Sequence, residues 1–244
     1  MKSKKNILVI GRGKWGNKLI KVLKKISKIK SIIRSKDNYK RVNIDKIDWV
    51  FILTPNETHY KIASYFIKKK INVFCEKPLT VKKKQAETLI NLSKKNKTKL
   101  YVDDIEKYKR KNIKINTGNN YIIRTKKDIG SSRTLLDRLA YHDFYLLSKY
   151  INFKNILSIK GKRKSKQIIF KIVLKKNIIL NFYYDINSNE KKHLINKTSF
   201  DKFNKNPLKE MLFSVLYKKN DYNRNNEIAL LCVKLISKLK KIIN

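Results

Sequence analysis

Three of the chain's six glycines fall in one six-residue stretch, Gly11-Arg12-Gly13-Lys14-Trp15-Gly16, directly after the apolar run Ile7-Leu8-Val9-Ile10. A short β-branched run leading into G-x-G-x-x-G and then a helical pattern is how a strand delivers a helix N-terminus to a pyrophosphate. The glycine roles are separable. Gly11 permits the tight turn, Gly13 lets backbone approach the phosphates, and Gly16 lets the helix pack close to the strand. Bare N–H groups and the positive end of the helix dipole then face the anion, with Lys14 and Trp15 beside them. A glycine turn that binds nothing is the plain alternative. The scarcity of glycine elsewhere in the 244 residues argues against it.

The residues that follow repeat strand and helix signals. Residues 6–10 read as a strand and 15–29 as a helix, with Leu19, Ile20, Val22, Leu23 and Ile26 on one face. Ile32-Ile33 is a short second strand, and 37–45 is too short and polar for a full crossover helix. Strands at 49–53, 72–75 and 100–102 alternate with helices at 58–69 and 80–95, a pattern for a parallel sheet covered on both faces. The second half changes character. A short strand is expected at 156–159; longer strands at 167–174 and 177–184, with a turn at Lys175-Lys176, read as antiparallel, and helices are expected at 131–150, 209–217 and 225–243. The expected fold is an α/β Rossmann domain over 1–102, then an α+β domain over 103–244 with an open, mostly antiparallel sheet. The C-terminal helix is expected to pack back on the first domain.

The net charge of +43, from 61 basic and 18 acidic residues, would at face value suggest a polyanion partner. Lysine, asparagine and isoleucine are abundant together, as an AT-rich coding sequence produces, and the lysines are scattered rather than gathered into a stripe. The expectation is therefore no specific nucleic-acid partner. No apolar run reaches the eighteen residues of a membrane span, and the apolar N-terminal segment is too short for a secretory signal. Cys75 and Cys232 are the only cysteines, which fits a reduced cytoplasm and no metal cluster.

Two of the three prolines follow strands of the first half, in Thr54-Pro55-Asn56-Glu57-Thr58-His59-Tyr60 and Cys75-Glu76-Lys77-Pro78-Leu79-Thr80. Ligands of an open parallel sheet bind beyond the carboxyl ends of its strands, so both segments share a rim with the glycine loop. A lysine there, preceded by a glutamate and fixed by a proline, is placed for an active site. The glycine loop and these two segments, in this order and spacing, resemble the Gfo/Idh/MocA family of NAD(P)-dependent oxidoreductases. Asn206-Pro207-Leu208-Lys209-Glu210 is similar to the family's segment before its penultimate helix.

The resemblance implies hydride transfer on a sugar, with a nucleotide sugar as the finer expectation. It implies Lys77 near the nicotinamide and the reacting hydroxyl, with Lys77-Pro78 a candidate cis peptide. Thr54, Pro55, Asn56, His59 and Glu76 would lie beside the cofactor. Leu135-Leu136-Asp137-Arg138-Leu139-Ala140-Tyr141-His142-Asp143 is similar to the family's Asp-x-x-x-His helix, with His142 as acid or base. The spacing departs from the family, because Asp137 precedes His142 by five residues, which rotates it roughly 140° away on an α-helix. Either the helix is locally distorted, or Arg138 replaces the carboxylate and holds an anionic part of the substrate. Lys77, Arg138 and His142 are the expected substrate contacts. At the end of the second strand, Arg34 and Ser35 suit a 2′-phosphate better than a ribose hydroxyl, so NADP is favoured over NAD. His193, beside Lys191-Lys192, reads as solvated strand sequence. Self-association through the second sheet is a further expectation. Two other readings stay open: a non-catalytic dinucleotide-binding protein of the same descent, and a polyanion binder.

Overall fold

The computed structural model describes residues 3–127, 134–201 and 206–243. They form two compact units, Met1–Tyr108 with Pro207–Val233, and Lys109–Asn206 with Lys234–Asn244.

The first unit is built on five parallel strands: β1 (Asn6–Ile10), β2 (Lys28–Ile33), β3 (Trp49–Ile52), β4 (Asn72–Cys75) and β5 (Leu100–Val102). Their spatial order is β2-β1-β3-β4-β5. β3, β4 and β5 read as near-continuous apolar runs because both faces of the sheet are covered. Phe51, Phe74 and Tyr101 occupy one register row and stack at 4.7 and 6.1 Å. Against that face pack α1 (Lys14–Ile26) and α5 (Pro207–Tyr217), through Leu19, Ile20 and Leu23 and through Met211, Leu212 and Val215. The other helices of the alternating half are α2 (His59–Lys68) and α3 (Lys83–Lys95). The free edge of β5 is closed by α6 (Tyr222–Ile242), where Asn225 accepts from Val102 N at 2.8 Å and donates to Val102 O at 3.0 Å. A side-chain amide thus replaces a missing strand, leaving no open ladder groups on Val102.

The alternation is as expected, but two helix ends are not. The helix expected over 15–29 stops at Ile26, because Ser27 turns extended and returns both its N–H and its hydroxyl to Leu23 O. β2 starts at once at Lys28. The helix expected from 80 begins at Lys83. Between β2 and β3 the chain makes a single 3₁₀ turn, Tyr39–Arg41, in place of a crossover helix.

The second unit holds β6 (Gly118–Lys127), β7 (Ile156–Lys164), β8 (Gln167–Leu174), β9 (Ile178–Asp185), β10 (Asn187–Ile195) and β11 (Thr198–Ser199). The order is β11-β10-β6-β9-β8-β7, antiparallel throughout except for the parallel pair β6–β9. Lys176 and Asn177 both take positive φ, 62° and 51°, which is the backbone of a tight hairpin turn joining β8 to β9. One face of the sheet is covered by α4 (Tyr141–Leu147), whose Phe144 meets Phe170 and Phe182. The other face leaves Tyr121 and Ile169 exposed. β6 and β10 were not expected, and β7 runs five residues past the strand expected at 156–159. The helix expected over 131–150 is a π-helical turn, Leu136–Ala140, followed by α4; its start at 131–133 lies outside the described residues. Among the described residues, no helix is long and apolar enough to cross a membrane.

Candidate active site

The glycine loop sits where the sheet order reverses, between the ends of β1 and β3. Gly11 N donates to Ile33 O at 2.9 Å, and Leu53 N to Ile10 O at 2.8 Å. Gly11 has φ +99°, and a Cβ there would lie 2.4 Å from the Leu53 carbonyl oxygen, so a side chain is excluded by both conformation and space. A Cβ on Gly16 would come within 3.0 Å of Gly11 O. Gly13 is different: its φ of −68° suits any residue, and a Cβ would meet nothing within 4 Å. Gly13 caps α1 and has no side chain to occupy the first N–H groups of the helix. The first turn carries no acidic residue, and Lys14 within it is exposed. The loop is therefore a cradle that fits a dinucleotide's pyrophosphate.

The two proline segments converge on the same rim. His59 is fully buried and uses both ring nitrogens, Nδ1 against Pro78 O and Nε2 against Thr54 O, each at 2.9 Å. It ties the segment after β3 to the segment after β4. Burial holds its pKa below the usual value, against the pull of the two carbonyls. Thr54 is pinned through Thr58, whose hydroxyl donates to Pro55 O at 2.7 Å. Pro55 is exposed and Asn56 half-buried. Glu76 accepts from the Trp15 indole and from Lys77 N, so the glycine loop and the Glu-Lys-Pro segment are joined directly. Lys77-Pro78 is cis, and Lys77 is half-buried. Arg34 and Ser35 lie exposed at the end of β2, where Asp37 accepts from Arg34 N at 2.7 Å and from its Nε at 3.3 Å. These bonds, the backbone one foremost, hold the Asp37 carboxyl below its ordinary value.

A carboxylate stands directly after β5. Asp103 is buried, its Oδ1 accepting from Ile105 N at 2.9 Å. Burial, and then the neighbouring Glu76 charge, push its pKa well up.

Arg138 and His142 belong to the second unit, both half-buried on the segment formed by the π turn and α4. A turn closed by i→i+5 hydrogen bonds accommodates one more residue than an α-turn. The segment from Asp137 to His142 is thus locally distorted, and the 140° separation of a regular α-helix does not carry over to it. Asp137 is not idle, for Lys240 of α6 meets its Oδ2 at 2.5 Å. The next surprise is His193. It is 4 % exposed rather than solvated, stacked on Phe200, with Nε2 at 2.9 Å from Asp143 Oδ1. Strand sequence following two lysines masked it, because only the tertiary partner makes burial tolerable.

A parallel sheet with a glycine cradle at its switch point defines a dinucleotide-binding Rossmann domain. Residues 32–104 match the Gfo/Idh/MocA family model, described as an oxidoreductase family with an NAD-binding Rossmann fold. An uncharacterized oxidoreductase of Escherichia coli (strain K12), YgjR, is 37% identical over 57 residues, 23% of this chain and 17% of that protein. The aligned stretch thus spans about a sixth of that relative. Among solved structures, UDP-N-acetylglucosamine 3-dehydrogenase GnnA from Acidithiobacillus ferrooxidans superposes with a TM-score of 0.81 at 14% identity, covering 100% of this chain and 98% of that one. The WlbA (WbpB) dehydrogenase from Thermus thermophilus, in complex with NAD and UDP-GlcNAcA, gives 0.75 at 11% identity, covering 97% and 94%. At these identities the likeness concerns the fold.

Proposed function

We propose that the chain is an NAD(P)-dependent oxidoreductase interconverting an alcohol and a ketone on a sugar or nucleotide sugar. The observation that carries this reading is the cradle: open space above Gly13 at an uncapped helix N-terminus, joined through Trp15 and Glu76 to the segment bearing Lys77. Gly11, Gly13, Lys14, Trp15 and Gly16 would hold the pyrophosphate, with Thr54, Pro55 and Asn56 along the rim and His59 fixing that rim from beneath. When bound, the nicotinamide supplies a hydride acceptor or donor. Lys77 hydrogen-bonds the reacting hydroxyl, His142 takes or returns its proton, and Arg138 binds an anionic part of the substrate. Arg34 and Ser35 favour NADP, while Asp37 beside them offers a ribose hydroxyl an acceptor. Self-association through the open face of the second sheet, where Tyr121 and Ile169 are exposed, belongs to the same reading.

The experiment is a titration with NADH and NADPH, followed by turnover assays with UDP-N-acetylglucosamine, other nucleotide sugars and free inositol. Binding of one dinucleotide per chain, NADPH more tightly, and reduction of the oxidised cofactor by a nucleotide sugar are the expected results. Activity on inositol alone would overturn the nucleotide-sugar assignment. Stoichiometric binding without turnover would favour the non-catalytic reading, which the engagement of Asp137 by Lys240 supports.

A further inference from the structure

The residue after His142 is held more firmly than any packing requirement of a seven-residue helix explains. Asp143 has 0 % exposure. Arg124 Nε donates to its two oxygens at 3.0 and 2.9 Å, Tyr184 OH donates at 2.8 Å, and His193 Nε2 lies at 2.9 Å. The three partners come from β6, β9 and β10, which are neighbours in the sheet. Their register is aligned: His193 stands opposite Arg124, and Arg124 opposite Tyr184. A single row of side chains across three strands therefore converges on one carboxylate. The Arg124 charge compensates the buried anion, which would otherwise be expelled from the interior.

The socket lies at one end of the distorted segment, and the other end is also tied, by Lys240 to Asp137. Between the two anchored carboxylates stand Arg138 and His142. A π turn lacks the regular i→i+4 ladder that fixes the register of an α-helix, so a side chain following one depends on outside contacts for its position.

We infer that Arg124, Tyr184 and His193 are positioning residues for His142, acting through Asp143 as a socket that fixes the imidazole in place after the π turn. This assignment rests on the proposed role of His142 in proton transfer. It adds three strand residues to the machinery, of which His193 reads as solvated from sequence. The groups facing Asp143 are the guanidinium, the phenol and the imidazole of His193; burial pushes its pKa up, but the Arg124 charge and then His193 outweigh that and hold it at about 2, so the socket stays intact through the neutral range.

The chain has three histidines, His59, His142 and His193, so the rings of the full-length protein can be followed individually by histidine-selective ¹⁵N NMR. The variants are Asp143→Asn, Tyr184→Phe and, as a control in the packing beneath α4, Phe153→Leu, which touches Phe144 rather than the socket. In the first two, the His142 ring signals should shift or split and its titration change, while those of His59 in the other unit stay as in wild type. Turnover should fall tenfold or more with the dinucleotide KM unchanged. Unaltered His142 signals in a folded Asp143→Asn or Tyr184→Phe protein would overturn the inference, and so would an equal disturbance by Phe153→Leu. If Asp143→Asn fails to fold, Tyr184→Phe decides on the same criteria. A wild-type protein without turnover would count against the oxidoreductase reading alone, because the imidazole spectra report on the socket independently.

Discussion

Gly11 and Gly13 differ by two positions, and the structure predicts opposite outcomes for the same methyl group. At Gly11, alanine would be forced to φ +99° and its Cβ set 2.4 Å from a backbone carbonyl oxygen, with the carbonyl carbon at 2.6 Å. Backbone strain of this kind is on the order of 1–3 kcal/mol, and overpacking against an immovable main chain adds a comparable amount. Gly11→Ala should therefore lose about 2–5 kcal/mol in urea or thermal unfolding. At Gly13 the backbone is ordinary and nothing lies within 4 Å. Gly13→Ala should keep wild-type stability or gain up to about 1 kcal/mol from the stiffer unfolded chain. Its methyl occupies the space a pyrophosphate needs, so NADH affinity should drop at least tenfold, about 1.4 kcal/mol. Quenching of Trp15 emission by NADH, with calorimetry as a check, reads the affinity. A Gly13→Ala protein that binds NADH as wild type does would refute the cradle.

Asp143 and Asp103 make opposite pH predictions. Asp143, moved from 3.8 to about 2, contributes stability that is fully present above the ordinary carboxylate range and lost as pH falls through 2. The difference is worth about 2 kcal/mol, so the gap between wild type and Asp143→Asn in thermal unfolding should narrow below pH 3. Asp103 is raised, so folding is favoured below its unfolded pKa and loses ground as pH rises towards the folded value. Asp103→Asn, which keeps the shape of the neutral acid, should be more stable than wild type at pH 8 and gain nothing at pH 3. Phe170, 1 % exposed and stacked on Phe182 at 4.2 Å, should cost about 3–5 kcal/mol when replaced by alanine, measured by denaturant unfolding.

How far the sequence discloses this molecule varies with what each element buries. β3, β4 and β5 are covered on both faces, so their apolar runs stand out even in a lysine-rich chain. β6 and β10 have only one covered face, and the row on that face includes the buried Asn120 and His193 and the half-buried Arg124, so the alternation of apolar and polar residues disappears. Arg124 and His193 become interior residues only because Asp143 meets them, a contact between positions 19 and 50 apart. The end of α1 was misread for a simpler reason. Lys28-Ile29-Lys30 continues a helical-looking pattern, while Ser27 has already returned its hydroxyl to the helix. The π turn has no composition of its own; the extra residue between Asp137 and His142 was its one trace. The glycine loop and the Glu-Lys-Pro segment were legible because backbone conformation, rather than packing, selects their residues.

The central claim is tested most directly with Lys77→Ala. Dinucleotide binding and turnover of nucleotide sugars should be measured on the same preparations of variant and wild type. The account predicts that wild type does both, and that the variant binds NAD(P)H within threefold of wild type while turnover falls at least a hundredfold. Equal turnover by the two proteins, or wild type that binds dinucleotide and oxidises no sugar offered, would contradict it.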